Sequence, residues 1–393
     1  MISQIIAVTS VNLRSITQRL GSSAVAVFGI VGVVIVFVGV LSIAEGFRSA
    51  MQATGDIDTV MVMRSGADSE MTSGISGEHA RLVQDKPGIA KDAAGPLTSP
   101  ELLVIVNHPL RRSGTDANVP LRGVEPAAFR VHKNLHIVGG RNFQPGRNEI
   151  IVGRAATGQF EGLTVGSTVK WGENEWHVVG VFQAGGSAAE SELWCDAKVL
   201  QPAYRRGNSY QSVYAKLASH ESFDELKDAL TTDPRLTVSV IREPEYYARQ
   251  SQTLQTVIRT IGFAIAGLMG IGAVFGAVNT MYNAVASRGR EIATLRALGF
   301  GSIPVVISVL AEAVALSLVG GLIGGLLAWA AFDGYQTSTM NFQSFSQVAF
   351  AFAVTPALLA RGLFYAILMG LLGGLLPALR AARLPIATAL RQL

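Results

Sequence analysis

The chain has 393 residues, of which 49% are hydrophobic and only 15% charged, and 42 are glycine. This composition is too apolar and too rich in glycine for an ordinary soluble protein, and it indicates several membrane spans. Residues 45–256 hold 22 Lys+Arg and 25 Asp+Glu, a net charge of −3. The remainder of the chain holds 10 Lys+Arg (32 − 22) and 3 Asp+Glu (28 − 25), a net charge of +7. A nucleic-acid-binding protein would concentrate basic charge in its soluble part, so that class is excluded.

The first predicted membrane helix covers residues 21–44. Between Arg19 and Glu45 lie 25 residues without a charge, and about 20 such residues are enough to cross a bilayer. The alternative is a cleavable signal peptide, because a basic start precedes the run and "SIA" ending at Ala44 resembles a cleavage site. The run is longer than the apolar region of a signal peptide, about 7–15 residues, so we expect a retained helix.

Residues 45–256 are predicted to form a large α+β domain with stalk helices at its ends. The apolar and β-branched runs "PELLVIVN", "NEIIVG" and "LTVSVI" are typical of strands, and "KWGENEWHVVGVF" predicts a hairpin that turns at residues 172–174. The polar segment 243–259 predicts a helix that leads into the next span. The single cysteine, Cys195, excludes an intramolecular disulfide and a CxxC redox pair.

Catalytic groupings are few in this domain. Only His132 and His136 have a ligand-like i,i+4 spacing, and "VHKNLH" lacks the glutamate of the zinc-protease HExxH motif. The chain has neither GxSxG nor the GxxxxGK[ST] phosphate loop, since no Gly-Lys pair occurs in it. We therefore expect no enzyme activity, no metal site and no bound cofactor in this chain, and we expect any ATP to be bound by another polypeptide.

Three further spans are predicted at residues 257–287, 303–332 and 357–379. The first of these contains 28 consecutive residues without a charge, the next is interrupted only by Glu312, and the last has Arg361 near its start.

The orientation follows from the basic residues of the short flanking segments, which precede the first span, separate the second from the third and follow the fourth: Arg14, Arg19, Arg288, Arg290, Arg296, Arg380, Arg383 and Arg391. The loop 333–356 has none. By the positive-inside rule, both termini are then cytoplasmic. The predicted fold class is a polytopic α-helical membrane protein with four transmembrane helices in a 1+3 arrangement and a large α+β domain inserted between helices 1 and 2, on the outer side.

The segment 288–302, between the second and third spans, is charged and yet patterned as a helix. Ile292, Leu295 and Leu298 recur at helical spacing between arginines and Glu291. One interpretation is an amphipathic anchor on membrane lipids, with the arginines at the phosphates. The other is a docking helix whose apolar stripe fills a groove of a partner while the charges fix its orientation.

The segment "IGAVFGAVNTMYNAVASRGREIATLRALGF" resembles the permease signature of the MacB/FtsX family of ABC transporters. The matching residues are Asn279, Arg288, Arg290, Glu291, Ile292, Arg296, Ala297, Leu298 and Gly299, and Ala293 stands where the family has glycine. The carboxyl end is similar to the family's closing motif at Pro377, Ala381, Ala382, Arg383, Leu384, Leu390 and Arg391. The family's Asp is missing there.

The resemblance implies that residues 288–302 are a coupling helix seated on a separate cytoplasmic ABC ATPase, which carries ATP and Mg²⁺. The implied ATPase-coupling residues are Arg288, Arg290, Glu291, Ile292, Leu295, Arg296, Leu298 and Gly299. It also implies a bacterial inner-membrane protein, a periplasmic domain at residues 45–256, a second permease copy (the same or a related chain) and a cytoplasmic tail at 380–393. An N-terminal helix over residues 1–20 would lie on the inner leaflet, with one face formed by Ile2, Ile5, Ile6, Leu13, Ile16 and Leu20.

Two further features are candidates for function or packing. Glu312 is an intramembrane carboxylate, which is costly and therefore a functional candidate; the alternative is a hydrogen-bonded group facing the helix bundle. The cluster Gly320, Gly321, Gly324 and Gly325 has GxxxG spacing, which allows helices to approach closely.

These features predict a permease subunit of a MacB-like transporter that exports or extracts a substrate from the periplasm or outer leaflet. Two alternatives stay open: an FtsX-like signalling subunit that activates a periplasmic partner, and a lipoprotein-releasing permease like LolC or LolE. A periplasmic adaptor and an outer-membrane channel are expected as partners only if the protein is an efflux permease.

Overall fold

The computed structural model describes residues 2–15, 20–341 and 345–385. It divides into two compact units. The helical unit comprises the described parts of residues 1–45, 256–335 and 352–393, and the outer unit comprises residues 46–255 with the described part of 336–351. The predicted tail beyond residue 385, including Leu390 and Arg391, lies outside the described residues, as does Ile16.

The described residues contain eleven helices, four of which are long and apolar enough to cross a membrane. They are α1 Ile2–Ser15, α2 Leu20–Ala53, α3 Gly77–Gln84, α4 Ala128–Val131, α5 Arg154–Gln159, α6 Ala197–Ala203, α7 Ser222–Thr231, α8 Glu243–Ser287, α9 Gly289–Ala297, α10 Ser302–Phe332 and α11 Pro356–Ala382. The spanning candidates are α2, α8, α10 and α11. The predicted order of one apolar helix, an α+β unit and three apolar helices is confirmed.

The strands of the described residues are β1 Thr59–Arg64, β2 Ile75–Ser76, β3 Lys91–Asp92, β4 Gly95–Pro96, β5 Thr98–Pro109, β6 Asp116–Val124, β7 His136–Gly140, β8 Glu149–Gly153, β9 Thr168–Trp171, β10 Asn174–Gln183, β11 Leu193–Asp196, β12 Ser209–Tyr210, β13 Ser212–Lys216, β14 Val238–Arg242, β15 Gln336–Asn341 and β16 Ser346–Ala351. The outer unit is built on a sheet of ten of them, in the order β14-β1-β13-β5-β6-β11-β8-β10-β7, with β9 paired to β10. Adjacent strands of the sheet are antiparallel except β6 with β11 and β8 with β10. β9 and β10 form the predicted hairpin.

The core of the outer unit follows from the strand sequences. In β9 and β10 alternate side chains are buried, as expected for strands with one covered face. In β8 every residue is buried, and in β5 the first seven are, so this part of the sheet lies in the middle of the fold. Trp176, Phe160 and Phe182 are among the largest fully buried side chains, and they give this unit a hydrophobic core without a disulfide.

The longest helices extend beyond the predicted spans. α8 has 45 residues, roughly twice the length that a bilayer requires. Its residues 243–255 belong to the outer unit and precede the charge-free stretch that begins after Arg259. The end of α2, from residue 46 to Ala53, also belongs to the outer unit.

The segment 333–356, predicted as a loop on the outer side, contains a hairpin that the sequence did not reveal. β15 and β16 form an antiparallel hairpin in which Gln336 pairs with Ala351 and Asn341 with Ser346. Side chains of this hairpin are buried in the outer unit, including Val348 and Phe350 at 5% exposure each.

One side of the N-terminal helix contacts α10. α1 is described only from Ile2 to Ser15, and Ile6 is 64% exposed whereas Val8 is 4% exposed. The Asn12 side-chain amide donates to the Ser308 hydroxyl on α10. Val8 and Asn12 therefore lie on the side of α1 that contacts α10, Ile6 lies on an exposed side, and the placement of α1 on the inner leaflet stays a prediction.

Candidate functional site

The predicted coupling segment is a separate short helix, α9. Arg288 occupies the N-cap position, and its carbonyl accepts the Ile292 N–H at 3.0 Å. The helix ends at Ala297. Arg296 lies in its last turn, where the positive charge interacts favourably with the negative end of the helix dipole. Gly299 follows with φ of +95°, a conformation that L side chains rarely adopt, and it lets the chain turn into α10.

Arg288 faces the interior of the helical unit. Its Nη1 lies 2.9 Å from Oε2 of Glu312 on α10, and the two side chains are 4% and 5% exposed. Its Nη2 reaches the Asn12 carbonyl of α1 at 3.4 Å. The two residues that the sequence had singled out separately therefore form one buried ion pair, and Arg288 is too buried to contact a partner directly.

The predicted apolar stripe divides between two environments. Ile292 is 7% exposed and packs with Met281, Val285 and Val305 inside the helical unit. Leu295 is half-buried, and Leu298 is 72% exposed. Only the end of the stripe is thus available to a partner, while its beginning holds α9 in place.

The exposed face of α9 and its end is formed by Arg290, Glu291, Thr294, Ala297, Leu298 and Gly299. Arg296 is half-buried, and its Nη1 donates to the Leu384 carbonyl beyond α11 at 2.7 Å. That bond connects α9 to the segment after the last membrane helix. Cationic, anionic and apolar groups remain together on the exposed face, which is a composition suited to a protein groove.

The glycine cluster of α10 contacts two different helices. A Cβ at Gly320 would lie 3.1 Å from Ile30, and one at Gly324 would lie 2.9 Å from the Val31 carbonyl, both on α2. A Cβ at Gly321 would lie 2.8 Å from Ala366, and one at Gly325 would lie 3.4 Å from Leu359, both on α11. The two overlapping GxxxG rows therefore let α10 pack closely against α2 on one side and α11 on the other.

The outer unit contains a buried polar network that the sequence analysis did not find. All five N–H donors of Arg122 are used by three carboxylates: Nη1 by Glu70 and Glu101, Nη2 by Glu70 and Glu192, and Nε by Glu192, at 2.7–3.0 Å. Arg122 is 3% exposed. Its pKa is raised well above the ordinary value, because the charges of Glu192 and Glu70 outweigh the effect of burial.

His132 extends this network. Its Nε2 lies 2.8 Å from Oε1 of Glu101. Burial alone would lower the pKa of His132, but the charge and hydrogen bond of Glu101 outweigh burial and raise it. His132 is therefore committed to a carboxylate, and His136 lies on β7, exposed to solvent. The two histidines do not form a pair of ligands.

A sequence signal for the network did exist. Arg122 interrupts the apolar run "VPLRGV", and Glu101 interrupts "PELLVIVN". A charge inside a strand that is otherwise buried requires a buried partner. The identity of the partners was not readable, because Glu70 and Glu192 are 52 and 70 residues away from Arg122 in the sequence.

Comparison with protein families gives two matches that lie side by side along the chain. Residues 23–233 match the MacB-like periplasmic core domain, and residues 263–386 match the FtsX-like permease C-terminal region. The first match alone covers more than half of the 393 residues. It includes most of α2 and most of the outer unit, and the second includes α9, α10 and α11.

Individual relatives agree with these matches. The macrolide export ATP-binding/permease protein MacB of Bdellovibrio bacteriovorus is 24% identical over 402 residues, which cover 94% of this chain and 59% of the relative. The protein of the same name from Rhodospirillum rubrum is 25% identical over 406 residues, which cover 96% of this chain and 59% of the relative. The chain thus spans less than two thirds of these curated relatives.

Among solved structures, the periplasmic region of MacB from Actinobacillus actinomycetemcomitans covers 53% of this chain and 95% of its own, with 14% identity and a TM-score of 0.36.

Proposed function

The chain belongs to the MacB/FtsX family of ABC transporter permeases, and on that premise we propose that it is a transmembrane subunit that transmits ATP hydrolysis by a separate ATPase to its periplasmic domain. It is an inner-membrane protein with four apolar helices and a periplasmic domain. In our proposal both termini are cytoplasmic, so that α9 lies on the same side of the membrane as ATP.

The observation that carries the proposal is the arrangement of α9. A helix that transmits force must be firmly held by its own subunit and must offer a second face to its partner. Arg288 and Ile292 are buried within the helical unit, whereas Arg290, Glu291 and Leu298 are exposed. The 393 residues contain no phosphate loop, which supports binding of ATP and Mg²⁺ by another polypeptide.

We propose that the substrate is exported or extracted from the periplasm or outer leaflet by a pair of permease copies. The relatives are named for macrolide export, so a macrolide is the first substrate to test. Participation of an adaptor and an outer-membrane channel belongs to the same proposal and requires its own binding test.

The test is reconstitution of the chain in nanodiscs with the proposed ABC ATPase subunit. We expect a stable complex whose ATP hydrolysis is stimulated by substrate. Glu291→Lys combined with Leu295→Asp should abolish this stimulation, and so should Leu298→Asp. Val165→Asp is the control, because Val165 is also exposed, at 48%, but lies in the outer unit.

The outcomes separate the alternatives. No complex, or full stimulation in the Glu291 and Leu298 variants, would contradict the proposed docking face. A complex that hydrolyses ATP without responding to any substrate, yet activates a periplasmic hydrolase, would favour signalling over transport.

A further inference from the structure

The end of α2 and the start of α8 meet inside the outer unit. A Cβ at Gly55 would lie 2.6 Å from the backbone nitrogen of Pro244, so the two segments are in direct backbone contact. The Asp56 N–H donates to Oε2 of Glu243 at 3.0 Å. We call residues 54–58 and 243–247 together the root junction.

Glu243 is a fourth carboxylate beside the Arg122 network, and it is 2% exposed. Arg122 has no N–H left for it, because its five donors already serve Glu70, Glu101 and Glu192. His132 also acts on Glu243 through its charge, but its Nε2 is hydrogen-bonded to Glu101. The region therefore holds more carboxylates than cations, and burial of one more negative charge is unfavourable.

Groups from every neighbouring segment face this site. A cavity of about 40 Å³ is lined by Glu243 together with Asp56 after α2, Glu101 on β5, Arg122 on β6, His132 and Lys133 after α4, Glu192 before β11, Tyr214 on β13 and Tyr247 on α8. Lys216 on β13 is the counterion of Asp56, at 2.5 Å. Two lysines from other segments, Lys216 and Lys133, act on Asp56, and no described lysine or arginine forms an ion pair with Glu243.

We propose that the Glu243 carboxyl is a proton-controlled latch, which holds the root junction closed when it is protonated and loosens the junction when it ionises. The latch concerns the two helices that enter the outer unit, and it does not depend on an ATPase or a substrate.

The direction of the pH effect follows from the environment. Burial raises the pKa of Glu243 from 4.5 to about 7 in the closed junction, because it outweighs the charge of His132 and the Asp56 N–H, which lower the pKa; the charges of Glu101 and Asp56 add smaller upward contributions. When the junction opens and Glu243 meets water, its pKa returns toward 4.5. The closed state therefore binds one more proton between pH 4.5 and 7, and closure is favoured at the lower pH.

A single proton sets the size of the effect. Ionisation of Glu243 should increase the equilibrium constant for opening of the root junction about fortyfold between pH 5 and pH 7, and it should change this constant little above pH 7.5. His132, whose pKa is also raised in the folded protein, adds opening in the same direction at pH values above 6.5. Without the Glu243 proton site, the profile should therefore be flat below pH 6.5 and keep only the His132 contribution above it.

The test is hydrogen–deuterium exchange of the full chain in nanodiscs, without ATPase or nucleotide, at pH 5, 6, 6.5, 7 and 7.5. We expect the protection of the amides at residues 54–58, corrected for intrinsic exchange rates, to fall about fortyfold between pH 5 and 7. In Glu243→Gln it should be constant from pH 5 to 6.5. Glu245→Gln is the matched control, because Glu245 is on the same helix, exposed, and paired with Arg249; it should keep the native profile.

A second variant keeps the proposal testable if Glu243→Gln does not fold. Asp56→Asn retains the amide N–H but removes one of the charges that raise the Glu243 pKa, so the loss of protection should move to lower pH. Equal protection at pH 5 and 7 in the native chain would overturn the proposal. So would an unchanged slope in Glu243→Gln, or an unchanged midpoint in Asp56→Asn.

Discussion

Arg288 and Glu312 form a buried ion pair between the start of α9 and the first half of α10, with 2.9 Å between Nη1 and Oε2. Neither side chain is more than 5% exposed. Glu312 is thus hydrogen-bonded inside the helical unit, and its candidacy for a functional role stays a prediction. The pair fixes where α9 begins. Arg288 would therefore act as a positioning residue in the proposed coupling of α9 to the ATPase.

The pair predicts a non-additive pattern of stabilities. Arg288→Met or Glu312→Leu alone should destabilise the protein by roughly 3–5 kcal/mol, because one buried charge loses its partner. The double variant should recover most of this loss, since it buries no charge. Thermal melting of the three variants in nanodiscs measures the effect. A double variant as unstable as the worse single variant would contradict the pairing as the cause.

The proposed topology can be tested with thiol labelling. Cys195, the single cysteine, is buried, so an introduced cysteine supplies the accessible thiol. Arg290→Cys should react with a membrane-impermeant maleimide only after the inner membrane is opened. Ser113→Cys, exposed on the outer unit, should react as soon as the reagent reaches the periplasm. Reaction of Arg290→Cys in cells with an intact inner membrane would rule out contact between α9 and a cytoplasmic ATPase.

The sequence was sufficient for the helical unit because a charge-free stretch of some 20 residues is a local property of the chain. It also predicted the β9–β10 hairpin, whose turn residues and alternation are local too. Contacts between distant segments could not be predicted in this way. Arg288 and Glu312 were both singled out, but nothing in their 24-residue separation indicated that they pair.

The hairpin at residues 336–351 was missed for a different reason. "QTSTMN" and "SQVAFA" are short and partly polar, and they give weak alternation. Their strand conformation is stabilised by the outer unit, where the Ala349 N–H donates to Ser191 at 2.9 Å and Asn341 donates to Gln250 at 2.9 Å. Tertiary contacts, rather than propensity, determine this element.

The glycine contacts predict opposite effects for two identical substitutions. Gly324→Ala should destabilise the helical unit by about 1–3 kcal/mol, because its Cβ would meet the Val31 carbonyl at 2.9 Å. Gly276→Ala has no atom within 4 Å of its Cβ, so the higher helix propensity of alanine should leave stability unchanged or raise it by up to about 1 kcal/mol. Melting temperatures in nanodiscs compare the two. Equal effects would contradict the close approach of α10 to α2.

The outer unit should lose stability in acid through Glu149. Two hydrogen bonds of 2.7 Å from Arg141, outweighing burial, lower the pKa of Glu149 from 4.5 to about 2. This contribution is complete above pH 4.5 and is lost as pH falls toward 2. Arg141→Met should therefore lower the urea midpoint at pH 7 and approach the native midpoint near pH 2.5. Arg147→Met is the control, because Arg147 is 65% exposed and 3.9 Å away; a similar loss there would indicate a general charge effect.

The β15–β16 hairpin should contribute to the stability of the outer unit through Phe350. This ring is 5% exposed and meets Phe47 edge-on, with 5.6 Å between centroids. Phe350→Ala should cost about 3–5 kcal/mol, as large-to-small changes in a core do, and should expose the amides of residues 346–351 to hydrogen exchange. Urea unfolding followed by tryptophan fluorescence gives the energy.

Phe345→Ala is the matched control for this prediction. Its side chain is 57% exposed, and the contact that it makes with Asn118 uses the Phe345 carbonyl, which alanine retains. We expect its stability and its exchange pattern to match those of the native chain. If both variants behaved like the native chain, residues 336–351 would be a loop with no part in the fold of the outer unit. A loss in Phe350→Ala alone means that the segment between α10 and α11 is held by core packing, because the two substitutions remove the same ring and differ only in burial.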